Sequence, residues 1–139
     1  MNLVYPLIAM MFLTIYLYVK NYLDNRKATK NKEIKYDYFK AYKGEVPEYV
    51  AVSRQTLKNQ FELPVLFYVT LLFMYVSGYN ISTQINWHVI FAWLFVLSRY
   101  LHCYIRLTSN HIPSRAKSFQ FGLIVLVLWW IYFLFNYHF

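Results

Sequence analysis

Four long apolar stretches most restrict what this chain can fold into. They cover residues 3–19, 61–76, 85–97 and 119–137, and the first and last contain no charged residue. A helix that crosses the hydrocarbon core of a bilayer needs about 20 mostly apolar residues. Because each stretch reaches that length with its flanking residues, the sequence predicts an all-α, polytopic membrane protein with a four-helix bundle. We place the helices at about 3–22, 50–78, 84–107 and 114–137, in a single domain spanning 1–139.

Composition agrees with this assignment. The chain has 139 residues, of which 59% are hydrophobic and only 14% are charged. A water-soluble domain of this size has too little interior to bury so much apolar surface. The single cysteine, Cys103, excludes an intrachain disulfide. The four histidines lack the spacing of metal ligands, so we predict no metal site.

The charged residues are confined to one part of the chain. All 14 Lys/Arg and all 6 Asp/Glu lie between Lys20 and Lys117. The loop at about 23–49 and the connection between the third and fourth helices therefore carry the positive charge. The positive-inside tendency makes that side cytoplasmic, with both termini on the opposite side. The net charge of +8 favours membrane lipids as partners, and the sequence offers no separate basic face for nucleic acid.

A few ionisable residues interrupt the apolar pattern of the second and third helices. Their positions are Arg54, Lys58 and Glu62 in the second helix, and Arg99, His102 and Arg106 in the third. Spacings of three and four place each set on one helix face. Ionisable groups within a bilayer normally face the bundle interior or a wet cavity. We therefore expect the two faces to meet near the cytoplasmic side.

Two interpretations of this meeting remain open. Glu62 and Arg99 could form one buried ion pair that sets the helix register, with Asn59 as a polar contact between helices. Alternatively, the excess of cations at this end, including Arg115, could line a pocket for an anionic ligand. The second interpretation accounts for more of the positive charge.

The same residues resemble those of a known family. Residues Pro47-Glu48, Arg54, Asn59-x-x-Glu62 and Pro64 resemble the second helix of the MAPEG proteins (membrane-associated proteins in eicosanoid and glutathione metabolism). Arg99-x-x-His102 and Ile112-Pro113-Ser114-Arg115 are similar to that family's third helix and the start of its fourth. The match resembles microsomal glutathione transferase and prostaglandin E synthase, and suggests a bacterial-type member.

The resemblance implies a homotrimer that binds glutathione between subunits, near the cytoplasmic face. Arg115 would then be the catalytic residue that stabilises the glutathione thiolate. The implied glutathione-binding residues are Arg54, Lys58, Asn59, Glu62, Arg99, His102, Tyr104 and Arg106, with Arg26, Lys27 and Ser114 as further candidates. Lys58 can replace Arg54, which stands five positions before Asn59 where the family's better-studied enzymes have four.

The resemblance implies a glutathione-dependent transferase or peroxidase that acts on lipophilic electrophiles, with glutathione as co-substrate. Its location would be a bacterial inner membrane, or the endoplasmic reticulum in a eukaryote. The alternative is a non-catalytic member that binds a lipid or a partner at the same pocket. A third possibility is an unrelated class, such as a small transporter subunit.

The charge distribution makes the topology testable. Reporters fused at the C-terminus should report the non-cytoplasmic face, because no Lys or Arg follows Lys117. Reporters inserted in the loop at 23–49 should report the cytoplasm. Reporter activity on whole cells measures both, and a cytoplasmic C-terminus would contradict the placement of the site.

Overall fold

The computed structural model describes residues 3–76 and 87–136, and within them every regular element is a helix. The helices are α1 (Val4–Lys30), α2 (Tyr38–Ala41), α3 (Glu48–Lys58), α4 (Leu63–Val76), α5 (Trp87–Leu107) and α6 (Ile112–Asn136). Four segments are long and apolar enough to cross a membrane: α1, α3 with α4, α5 and α6. This confirms the all-helical fold with four candidate spans. Residues 77–78, 84–86 and 137, which we also expected to be helical, lie outside the described residues.

The first helix is longer than its apolar stretch. We expected an end near residue 22 and a loop at 23–49, whereas α1 continues to Lys30. Beyond the apolar stretch, Lys20 Nζ pairs with Asp24 across one turn at 2.8 Å. Ala28 and Val50 of α3 are buried in one small cluster. Packing against α3 therefore extends the helix where its own apolar pattern has already ended.

The connection between α1 and α3 packs against both helices. Ile34 and Tyr38 join the cluster of Ala28 and Val50, which ties the connection to α1 and α3. The Tyr49 hydroxyl donates a hydrogen bond of 2.6 Å to Glu33 Oε2. This bond, more than that from Asn31, lowers the pKa of the Glu33 carboxyl. The connection is thus held by both apolar and polar contacts.

The second membrane span is broken in its middle. The α-helix ends at Lys58, a 3₁₀ turn covers Asn59–Phe61, and α4 begins at Leu63. Pro64 explains the break, because it has no N–H to donate to the carbonyl four residues earlier and its ring crowds that carbonyl. Arg54, Lys58 and Glu62 therefore do not continue on one helix face, contrary to our expectation.

The fifth and sixth helices form the tightest pair. Gly122 of α6 lies against Ser98 of α5, so that a Cβ at Gly122 would lie 2.6 Å from Ser98 Oγ. Farther along the pair, Phe95 stacks on Phe67 of α4 with ring centroids 5.0 Å apart. Trp129 is fully buried beside them. Close backbone approach at a small residue is the usual basis of helix packing in membranes.

Many large apolar side chains lie on the outside of this bundle. Those on α4 and α6 include Leu66, Val69, Leu72, Phe73, Leu123, Ile124, Val127, Leu128 and Leu134. Such a surface would aggregate in water but is compatible with lipid chains or with another membrane protein.

Gly122→Ala tests the α5–α6 contact. The added methyl group must displace Ser98 Oγ, which donates to the Phe95 carbonyl at 2.6 Å. We expect the free energy of unfolding to fall by about 1–3 kcal/mol, as measured by unfolding in a mild detergent.

The double variant Gly122→Ala/Ser98→Ala should recover part of that loss, since the closest atom is removed. Leu123→Ala on the outer surface is the matched control and should change stability less. An unchanged unfolding midpoint for Gly122→Ala would refute the packing argument.

Candidate functional site

Arg99 is a fully buried cation whose guanidinium has no described partner. Its exposed fraction is 0%, and none of its three guanidinium nitrogens has a hydrogen-bond partner within residues 3–76 and 87–136. The guanidinium lies 5.3 Å from the centroid of the Phe119 ring. Five unmatched N–H donors in an apolar interior are costly unless an anion or another acceptor meets them.

Glu62 does not neutralise Arg99 in the described chain. The Glu62 carboxylate is exposed, and it forms no ion pair with Arg99 among the residues that the structure covers. The interpretation of these two residues as a register-setting ion pair is therefore not supported by the geometry. The excess positive charge remains available to a ligand.

Arg106 forms hydrogen bonds between the third span and the broken second span. Its Nη2 donates to Gln55 Oε1 at 2.6 Å. In the amide orientation that satisfies its neighbours, Asn59 Oδ1 accepts from Arg106 Nη1 at 3.0 Å. Asn59 Nδ2 then donates to Glu62 Oε2 and to the Gln55 carbonyl, both at 3.3 Å. The two spans thus meet through Arg106 and Asn59, whereas Arg54 and Lys58 of the predicted second-span face form none of these bonds.

His102 connects the third span to the start of the fourth. Its Nδ1 lies 3.0 Å from the Arg115 carbonyl oxygen and 3.4 Å from Ser118 Oγ. Its Nε2 is buried without a partner in the described chain. The carbonyl contact favours the tautomer with the proton on Nδ1, which leaves Nε2 as a hydrogen-bond acceptor.

Arg115 is positioned by the turn between α5 and α6. Asn110 adopts a left-handed backbone conformation with φ of 48°, and its N–H donates to the Ile105 carbonyl at 2.8 Å. The Asn110 Oδ1 accepts from Arg115 Nη1 at 2.7 Å. Asn tolerates this conformation better than most residues. One residue therefore holds both, the turn through its backbone N–H and the arginine through its side chain.

Arg54 contacts tyrosines of the connection that precedes α3. Its Nη1 donates to the Tyr38 hydroxyl, and its guanidinium carbon lies 5.7 Å and 5.2 Å from the ring centroids of Tyr38 and Tyr42. These contacts direct the side chain towards α2.

The other candidates are more dispersed. Lys58 and Tyr104 are exposed, the latter at 67%. Arg26 lines a separate groove of about 580 Å³, together with other residues of α1 and with Tyr36 and Phe39. Lys27 lies 5.3 Å from the centroid of the Tyr49 ring, and Ser114 Oγ lies 2.8 Å from His111 Nδ1. The structure therefore brings six of the predicted residues near one another, and we call them the arginine cluster: Asn59, Glu62, Arg99, His102, Arg106 and Arg115.

Sequence reasoning missed three polar residues of this region, which are Gln55, Gln60 and Asn110. Gln60 Nε2 lies 3.3 Å from Cys103 Sγ, and both side chains are buried. Only Asn110 carried a usable signal, because an Asn shortly before Pro113 is typical of a helix end. The contacts of Gln55 and Gln60 depend on how the helices pack.

Chemically, the collected residues suit an anion that also carries a hydrogen-bonding or cationic group. Arg99, Arg106 and Arg115 offer planar donors that match carboxylates. The exposed Glu62 carboxylate and the buried His102 Nε2, which has no partner in the described chain, supply acceptors.

Replacing each buried arginine by Met separates a ligand residue from a structural one. Arg106→Met should lower the free energy of unfolding by about 1–3 kcal/mol, because Gln55 and Asn59 lose their partner. Arg99→Met should leave the ligand-free protein equally stable or more stable, since it removes a desolvated charge without breaking a described hydrogen bond.

Thermal unfolding of both variants in the same detergent provides the comparison. An equal loss of stability for Arg99→Met and Arg106→Met would mean that Arg99 serves the fold instead of a ligand.

Comparison with known proteins bears on this cluster. No curated protein and no solved structure matches the chain significantly. The family model described as "MAPEG family" matches residues 3–135, which is nearly the whole chain. The chain belongs to the MAPEG family of membrane proteins, as its polar residues in the second and third spans had indicated.

Proposed function

We propose that this MAPEG protein is a glutathione-dependent transferase or peroxidase that acts on lipophilic electrophiles. The observation that supports this most is the buried guanidinium of Arg99, which has no anion within the described residues. Glutathione is an anion of suitable chemistry, because it carries two carboxylates, one ammonium group and one thiol.

Different residues of the cluster would bind the carboxylates and the ammonium group of glutathione. Arg99 and Arg106 would meet the carboxylates, since guanidinium groups bind carboxylates through paired hydrogen bonds. The exposed Glu62, oriented by Asn59, would meet the ammonium group. Arg54 and Lys58 would contribute only to the electrostatic attraction of the ligand, because neither contacts the cluster in the described chain.

Arg115 would act on the sulfur. It lies in the first turn of α6, where free backbone N–H groups and the helix dipole already favour negative charge. A guanidinium there stabilises a thiolate relative to the thiol, which supplies the nucleophile for attack on an electrophilic carbon or on a peroxide oxygen. Asn110 keeps that guanidinium in place.

The proposal includes a homotrimer with the site between subunits and facing the cytoplasm. Glu62 is exposed in the single chain, and the outward apolar side chains of α4 offer a surface for a neighbouring copy. Both support an intersubunit position for the ligand.

One observation favours a second candidate. Arg54 stacks on Tyr38 and Tyr42 instead of turning towards the cluster, so one cation implied by the family resemblance is committed elsewhere. A pocket with fewer ligand contacts fits a non-catalytic member that binds a lipid or a partner protein.

Arg115→Ala tests the proposed function. We expect turnover of a chlorodinitrobenzene with glutathione to fall about tenfold or more, which corresponds to about 1.4 kcal/mol of transition-state stabilisation. Thermal stability should change little, because Arg115 is only partly buried and its guanidinium bonds to Asn110 alone among described residues.

Two further variants serve as controls. Arg115→Lys should recover part of the activity, since it keeps the charge without the planar fork. Asn110→Gly keeps the left-handed turn but frees the arginine, so an intermediate loss is expected. Unchanged turnover in Arg115→Ala would exclude it from the mechanism. A wild type that neither turns over nor binds glutathione would favour the second candidate.

A further inference from the structure

A groove runs along the outer surface between α5 and α6. Its volume is about 470 Å³, within the about 300–1,000 Å³ of small-molecule sites. The lining is Leu94, Leu97, Ser98, Leu101 and Ile105 of α5, with Ser114, Lys117, Ser118 and Phe121 of α6. The groove is therefore apolar along most of its length, with one cation in its lining.

The groove is about as long as one bilayer leaflet is thick. Ile105 and Ser114 lie next to the α5–α6 connection, whereas Leu94 lies eleven residues earlier on α5. At 1.5 Å per residue this is about 16 Å, close to half of the about 30 Å hydrocarbon thickness. An acyl chain that enters from the leaflet on that side can therefore follow the groove along its length.

The lining of the groove becomes more polar towards the α5–α6 connection. Leu94, Leu97 and Phe121 line the deep end, and Lys117 and Ser114 line the end nearest the connection. Lys117 is exposed and forms no ion pair with any residue in 3–76 or 87–136. Its ammonium group lies where an anionic head group would sit above an acyl chain in the groove.

The groove adjoins the candidate functional site without including its buried cations. Leu97, Leu101 and Ile105 face outward from α5, whereas Arg99 and His102 are buried. Ser118 belongs to both regions, because it lines the groove while its Oγ lies 3.4 Å from His102 Nδ1 and donates to the Arg115 carbonyl.

We propose that the α5–α6 groove is a binding site for an anionic phospholipid, with one acyl chain between the helices and the head group on Lys117. Charge complementarity at Lys117 and the leaflet-length apolar lining identify the occupant as a lipid of the surrounding membrane. This site is additional to the proposed enzymatic function and does not depend on it.

The test is lipid retention by the full-length protein. The protein is incorporated into nanodiscs of equimolar phosphatidylglycerol and phosphatidylcholine, extracted into mild detergent and examined by native mass spectrometry. The wild type should retain phosphatidylglycerol in preference to phosphatidylcholine. Lys117→Gln should reduce that preference about fivefold, which corresponds to about 1 kcal/mol for one cation near an anionic surface.

Matched variants distinguish a specific lipid site from nonspecific electrostatic attraction of anionic lipids. Lys43→Gln removes an exposed cation far from the groove and should retain the preference. Leu101→Trp fills the groove and should reduce retention of both lipids, whereas Leu128→Trp, also about half exposed, should not.

Three results would overturn the proposal. They are an unchanged preference in Lys117→Gln, an equal loss in Lys43→Gln, and full retention in Leu101→Trp. Because glutathione turnover is not measured, failure here leaves the proposed enzymatic function untouched.

Discussion

In the hydrocarbon of a bilayer, every backbone polar group needs a partner within the protein, and the rest of this structure follows from how that demand is met. Unbroken helices meet it in α1, α5 and α6. The second span departs from it, because Pro64 ends the regular ladder and a 3₁₀ turn covers Asn59–Phe61. Side chains of Asn59 and Arg106 supply hydrogen bonds at this break. The polar cluster therefore lies where the span has to be broken.

Arg99 and Arg106, both in α5, have different physical roles. Arg106 has acceptors in Gln55 and Asn59, so its charge contributes to holding the second and third spans together. Arg99 is more deeply buried and has no described acceptor. Desolvating such a charge costs several kcal/mol of free energy. The proposed function rests on this cost, because a bound anion would offset it.

The α5–α6 pair organises both sides of the molecule. Contact at Gly122 brings the two helices close, and Asn110 closes the turn between them. The pair buries Arg99, and along its outer surface it leaves a groove that ends at Lys117.

The sequence by itself determined the four spans, the family and the common face of Arg99, His102 and Arg106. Hydrophobic length and helical periodicity are local properties, and α5 is unbroken, so its three- and four-residue spacings survive in the fold. Tertiary structure alone decided where Arg54 points and that α1 continues to Lys30. Arg54 turns towards Tyr38 and Tyr42, which lie on another part of the chain, and the burial of Ala28 against α3 likewise depends on residues distant in sequence. Such contacts arise between helices, and no pattern within one helix encodes them.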